Sequence, residues 1–312
     1  MLSLALYSLA MLLSSFLVTD VANLSEGRPD ASAAASGDLP IQVVSTSWLA
    51  AHLTDRNVVV VQVEMSASNA APRIPGARLL AYSAMTVARS GLSTELPEPD
   101  SLASLFASLG ISDSSLVVVT SSHEAPMAAR ALVSLDFIGH RRLAFLDGGV
   151  AKWTREGRPM MTNVLQVSRG SIKPASSTPI VVNATWISDR LSSGRIALID
   201  TRTDGEYVGA GERHGMPSDG HIDGASQLQW EQLFADANHL ELRDSTALRA
   251  LYAERSQTGD TLVTYCWIGY RASMTYVAAR TLGLPVRFYD GSYQDWQQRK
   301  LPVTAGSEKR KR

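Results

Sequence analysis

Residues 288–296 read FYDGSYQDW, and residues 145–153 read FLDGGVAKW. Each has an apolar pair, an Asp-Gly turn signal and a run that closes on tryptophan. Working outward from the two, the matches continue in order. Upstream, helical stretches end in Ile138-Gly139 and Leu282-Gly283, preceded by the β-rich runs LVVVT (116–120) and TLVTY (261–265). Further back, RIPGARLL (73–80) answers GHIDGASQL (220–228), and VVVVQV (58–63) answers IALID (196–200). STSWLAAHL around Trp48 answers NATWISDRL around Trp186, and downstream REGRPM (155–160) answers QRKLPV (298–303). An ordered set of matches at so long a period marks a tandem duplication rather than a solenoid. The boundaries expected are one domain over 41–162, a Ser-, Pro- and Gly-containing linker over 163–179, and a second domain over 180–303. Residues 1–40 and the basic tail 304–312 fall outside both. In each half short apolar strands alternate with helical stretches, which predicts an α/β fold: two tandem domains, each a mostly parallel sheet flanked by helices.

The chain of 312 residues is long enough for two cores. It carries 29 basic and 30 acidic residues, so nothing in its charge points to nucleic acid. Residues 2–18 are apolar and uncharged, and small polar residues follow. The pair reads as an export signal with a flexible start to the mature chain, placing the protein in the periplasm or outside the cell. A retained membrane anchor over 2–18, near the lower length limit for a span, and a cytoplasmic protein are the rival readings.

The chemistry gathers in TLVTYCWIGYRASM, 261–274, which holds the only cysteine, Cys266. The strand TLVTY ends at Cys266, and after Arg271 the run ASMTYVAARTLG sets Met274, Val277, Ala278 and Thr281 on one helical face, with Gly283 placed to stop it. Ligands collect at the carboxyl edge of parallel sheets. A thiolate just before a helix is stabilised by the unpaired N–H groups and dipole of the first turn. A curled loop turns its amides into an anion nest. Gly269 permits the turn, and Arg271 supplies a permanent planar cation. The combination is a nucleophile in an anion cradle, suited to attack on a small anionic donor. Trp267 and Tyr270 read equally as packing residues or as the wall of a substrate mouth. The thiol is expected to be exposed and open to oxidation by outside partners.

Together LIDTRTDGEYVG (198–209), GHIDGA (220–225), CWIGYR (266–271) and FYDGSYQDW (288–296) resemble the motifs of the two-domain sulfurtransferases of the rhodanese family, and the likeness covers the chain from about residue 41. The resemblance implies tandem rhodanese-like domains, with Cys266 carrying a persulfide between half-reactions. It implies that Trp267, Ile268, Gly269, Tyr270 and Arg271 bind the donor and that Asp200 and Arg202 support them. It implies no cofactor. The partners implied are a small anionic sulfur donor, thiosulfate or mercaptopyruvate, and a thiol or cyanide acceptor; separately, an exported chain with a single cysteine is expected to be a monomer. In the first half Thr120 or Ser121 stands in the cysteine's place, so that half is expected to be a degenerate copy, with His123 and Glu124 as exposed loop residues. Three departures stand out: Asp223 replaces a proline, Glu206 stands where thiosulfate enzymes carry arginine, and Ile268 where they carry lysine. Arg271 is expected to compensate and to favour a dianionic donor. Mercaptopyruvate-selective relatives end the loop in a small hydroxyl residue instead.

Two other functions fit less well. Cysteine phosphatases on this fold have five residues between cysteine and arginine, against four here, and no aspartate stands in the loop. A binding module without activity would have no need to keep both Cys266 and Arg271. One cysteine and six scattered histidines give no metal-ligand spacing, and His221 reads as structural.

Overall fold

The structure is a computed structural model that describes residues 39–306, apart from 67, 69, 70, 164, 176–179, 193, 194, 211, 214, 215 and 237–240. The apolar segment 2–18, part of the 163–179 linker and most of the basic tail lie outside the described residues. Among those described, no helix is long and apolar enough to cross a membrane.

The first repeat comprises β1 (Gln42–Val44), α1 (Thr46–His52), β2 (Val58–Glu64), β3 (Arg78–Ala81), β4 (Val87–Arg89), β5 (Leu92–Glu95), α2 (Pro99–Ser108), β6 (Leu116–Ser121), α3 (Ala125–Phe137), β7 (Leu143–Leu146) and α4 (Gly149–Arg155). The second begins with β8 (Val181–Val182), α5 (Ala184–Leu191), β9 (Ile196–Asp200), α6 (Asp204–Val208), β10 (Glu212–Arg213), β11 (Met216–Pro217), β12 (His221–Ile222) and β13 (Ser226–Gln227). It continues with β14 (Phe234–Asp236), β15 (Glu241–Leu242), α7 (Ser245–Ala253), β16 (Thr261–Tyr265), α8 (Tyr270–Thr281), β17 (Val286–Tyr289), α9 (Ser292–Gln298) and β18 (Val303–Thr304). The main sheets run β1-β7-β6-β2-β3 and β13-β9-β16-β17-β8, each five-stranded and parallel throughout. Read from opposite ends, the two orders are the same, which establishes the duplication in three dimensions.

Local chemistry explains the matching elements. The two tryptophans lie inside α1 and α5 at the third position, because Ser45 and Asn183 cap the helices by accepting the Trp48 and Trp186 N–H bonds at 3.0 and 2.9 Å. The central strands β6 and β16 are buried along almost their whole length, as strands of a parallel sheet covered on both faces are. Among the described residues, apolar packing divides into three clusters. One lies on the outer face of each sheet. The third is continuous across the two repeats and contains α3 and α8.

That continuity corrects the expected single apolar face of the helix after Cys266. Residues Arg271 to Arg280 of α8 are all buried, so the helix has no solvent face. It is enclosed by its own sheet and by α3 of the first repeat. Gly283, at φ +68°, ends the turn after it as expected.

Candidate active site

Sheet register locates the cysteine's counterpart. Thr264 pairs with Phe288 across β16–β17, and Val119 with Phe145 across β6–β7. Two residues further on, Cys266 corresponds to Ser121, which settles the choice between Thr120 and Ser121. The place in the first repeat is a cavity of ≈ 20 Å³ lined by Thr120, Ser121, His123, Gly148 and Gly149 among others. His123 and Glu124 are exposed there, as expected.

Cys266 follows the carboxyl end of β16, and Gly269 is the N-cap of α8 at φ +81°. Glycine is required at this turn. A Cβ would stand 3.0 Å from the Asp290 carbonyl oxygen and 3.2 Å from Arg130 Nη1 in a left-handed conformation. The four carbonyls of the loop are tied off. Those of Cys266 and Trp267 accept the N–H groups of Tyr293 and Gln294 at 3.0 Å each. Ile268 O accepts Thr94 Oγ1 at 2.7 Å, and Gly269 O accepts Ser273 Oγ at 2.8 Å. Among the described residues, the backbone N–H groups of 267–271 have no acceptor. Consecutive unpaired amides at a helix start form an anion nest. The Cys266 N–H itself donates to Ser292 Oγ at 3.3 Å. Ser292 holds φ +51°, where Gly149 of the first repeat holds +58°.

The side chains of the loop diverge. Cys266 is 0% exposed and packs in the core that joins the repeats, so the expected exposed thiol is corrected to a buried one. Trp267 turns to the opposite face and packs on Tyr293, with ring centroids 5.3 Å apart; of its two readings the structure gives packing. Ile268 is half-buried against the same outer cluster. Tyr270 reaches the first repeat: its ring meets Tyr82 edge-on at 5.4 Å, and its hydroxyl donates to Glu124 Oε2 at 2.9 Å.

Arg271 is not a free cation. Its Nη1 and Nη2 donate to Glu206 Oε2 and Oε1 at 2.7 and 2.8 Å in a buried bidentate pair. Burial pushes the Glu206 carboxyl up, but Arg271 and Thr203 outweigh it and bring it to about 2. Burial works against the charge of Arg271, yet the Glu206 hydrogen bonds and the nearby Cys266 hold its pKa above the ordinary value. The expected compensation for the missing cations is thus largely cancelled by Glu206 itself. The sequence carried a sign of this: Thr203 and Glu206 form a capping box on α6.

Asp200 and Arg202 form the floor. Arg202 donates to both Asp200 oxygens, and Tyr265 Oη donates to Asp200 Oδ2 at 2.7 Å. Arg202 also lies 3.9 Å from the Tyr293 ring centroid. Burial opposes its charge and Asp200 overrides that, so its pKa is raised. The pair braces β9 against β16 and packs under Trp267. His221 is structural, as expected: it is buried, stacked on Tyr207 and bonded to the Tyr207 carbonyl. Among the described residues no cluster could hold a metal ion.

Sequence reading missed the contribution of the first repeat: Tyr82, Thr94, Glu124 and Arg130 all border the loop. Burial pushes the Tyr82 phenol up to about 12, with Arg130, Cys266 and Asp290 all within electrostatic reach. The one available signal was Arg130, a lone charge in the first ten residues of the otherwise apolar helix APMAARALVS.

Residues 183–299 match the rhodanese-like domain model. The chain is 30% identical over 289 residues to the sulfur carrier protein TtuD of Thermus thermophilus, covering 86% of this chain and 98% of that protein. It is 29% identical over 260 residues to a thiosulfate sulfurtransferase of Azotobacter vinelandii, covering 83% and 94%. The crystal structure of the 3-mercaptopyruvate sulfurtransferase SseA from Escherichia coli superposes with a TM-score of 0.71 at 23% identity, over 81% of this chain and 98% of that one. With its duplicated parallel sheets, its cysteine at a strand end and this likeness over most of its length, the chain belongs to the rhodanese family as a protein of two rhodanese-like domains.

Proposed function

We propose that the protein is a sulfurtransferase that moves a sulfane sulfur from thiosulfate to a thiol or cyanide through a persulfide on Cys266. The observation that carries the reading is the loop 266–271, in which the carbonyls of 266–269 are engaged while the N–H groups of 267–271 have no acceptor among the described residues. Such a ring of donors suits a negatively charged sulfur held on Cys266. In the first half-reaction the Cys266 thiolate attacks the outer sulfur of thiosulfate. The donor S–S bond breaks, and sulfite leaves with the electron pair. In the second, the acceptor attacks the sulfane sulfur and Cys266 departs as thiolate. No net redox partner is needed, and the kinetics are ping-pong.

The buried thiol favours a small donor. With Arg271 engaged by Glu206, the loop offers little net positive charge, so thiosulfate turnover is expected at a high KM. The thiosulfate sulfurtransferase of A. vinelandii supports thiosulfate as donor, and the fold of SseA leaves mercaptopyruvate as the alternative that a side-by-side donor assay decides. We further infer an exported protein from the apolar segment 2–18, to be checked by N-terminal sequencing of the mature chain, and expect a monomer, to be checked by its solution mass.

The decisive measurement is intact mass after thiosulfate treatment without acceptor. A gain of about one sulfur (roughly 32 Da) is expected in the wild type and none in Cys266→Ala. An adduct that persists in Cys266→Ala, or no adduct in the wild type, would end the reading.

A further inference from the structure

Behind the cysteine loop stands a cation from the other domain. Arg130 lies on α3, and its side chain is 0% exposed. Burying a guanidinium is costly unless its partners are well placed. Nη1 donates to Asp290 Oδ1 at 2.7 Å and Nη2 to the Thr94 carbonyl at 2.6 Å. Both partners lead to the loop. Thr94 Oγ1 holds the Ile268 carbonyl at 2.7 Å. Asp290 takes the Leu96 N–H on its second oxygen at 2.6 Å, and it opens the turn to Ser292, whose hydroxyl receives the Cys266 N–H. The position of Arg130 Nη1, 3.2 Å from where a Cβ on Gly269 would stand, completes the enclosure of the turn.

We propose that Arg130, supplied by the domain without a nucleophile, is a positioning residue of the catalytic centre. It clamps Thr94 and Asp290 so that the loop keeps its carbonyls turned away and its N–H groups free for the sulfur on Cys266. The proposal rests on the reading of Cys266 as nucleophile. The charged and titratable groups around the loop include Arg271 with Glu206 on the α6 side, Arg202 with Asp200 beneath Trp267, Tyr82 and Glu124 from the first repeat, and Asp290 with Arg130 beside Gly269.

A plain strut between domains would hold the repeats together without tuning the loop. The structure supplies the comparator. Asp136 and Arg280 form a second buried interdomain pair at 2.9 Å, near the far end of α8 from Cys266. Arg130→Met, Arg130→Lys, Thr94→Val and Asp136→Asn are compared in the full chain. Each is assayed at a temperature where it is folded, by thiosulfate:cyanide kinetics and by Cys266 alkylation with iodoacetamide. Loss of the clamp is expected to lower kcat roughly 10- to 100-fold in Arg130→Met, as small misplacements do, with donor KM moving far less. Arg130→Lys is expected to recover much of it, and Asp136→Asn to lower melting temperature with kcat unchanged. Arg130→Met with the kcat of Asp136→Asn overturns the proposal. Should Arg130→Met not fold, Thr94→Val decides: a lowered kcat supports the clamp, and wild-type kcat overturns it. Alkylation needs no sulfur donor. A wild type that never forms a persulfide therefore removes the sulfurtransferase reading alone, and the clamp then stands or falls on whether the alkylation rate of Arg130→Met, or of Thr94→Val should Arg130→Met not fold, departs from that of Asp136→Asn.

Discussion

Glu206 and Arg271 show how one carboxylate redefines a site. Their side chains are 6% and 7% exposed, so the pair is a buried one. Removing one partner of such a pair costs roughly 3–5 kcal/mol. The folded Glu206 carboxyl sits at about 2 against an ordinary 4.5. Its stabilisation is therefore present above the ordinary value and is lost as pH falls through the folded one. Melting curves of wild type and Glu206→Gln should differ most near neutrality and converge near pH 2. A constant gap across that range would refute the assignment. Glu95 has the opposite sign. Burial first, and then the Asp290 charge, raise its carboxyl to about 7 from 4.5. The folded state thus keeps a proton that the unfolded state releases, and stability falls as pH rises from 4.5 through 7. Glu95→Gln is expected to match wild type below about pH 4.5 and to melt higher above pH 7, measured by the same pH series.

At the scale of elements, the strand–loop–helix unit β16–α8 was readable because an apolar run, a thiol, a glycine and a helical stretch follow one another without a gap. The roles of Gly269 and Gly283 were legible for the same reason: each sits where only a left-handed turn closes the geometry. What periodicity hid was the burial of α8 on every side. Alanine, serine and threonine are interleaved with the large residues of α8, and even its polar side chains from Arg271 to Arg280 are buried, so no apolar stripe marks the buried faces. Met274, 0% exposed, belongs to the apolar core shared by the two repeats. Met274→Ala should destabilise by about 2–5 kcal/mol in denaturant melts, since the tightly enclosed helix has little freedom to collapse into the gap. Arg130 stayed illegible for another reason. Its partner Asp290 is 160 residues away in sequence, and no local pattern signals a clamp of that span.

At the scale of the molecule, the apolar core passes from one repeat to the other without a break. Among the described residues two buried ion pairs cross between the repeats, Arg130–Asp290 and Arg280–Asp136, and Glu241 adds more exposed pairs with Lys152 and Arg155. Tyr276 Oη adds a 2.7 Å hydrogen bond to Asp136. Such a boundary leaves neither repeat a finished surface of its own. Unfolding is expected to be a single transition, with near-UV and far-UV circular dichroism coinciding. Asp136→Ala takes the shared acceptor from Arg280 and Tyr276 and should lower the transition by about 3–5 kcal/mol without splitting it. Two separated transitions would show that the repeats fold independently.

The packing of α3 on α8 brings together the same helix from each copy of the duplicated unit. That is the contact of a two-fold dimer, in which one patch meets itself. Here a linker makes the partners covalent, and symmetry no longer binds them. In a true dimer, a change that removed the nucleophile would strike both centres at once. In the joined chain one copy could give up its thiol and keep its guanidinium, while the other kept the thiol and came to lean on its neighbour. The molecule is best pictured as a dimer whose two halves have diverged, one keeping the thiol and the other a buried guanidinium behind the thiol's loop.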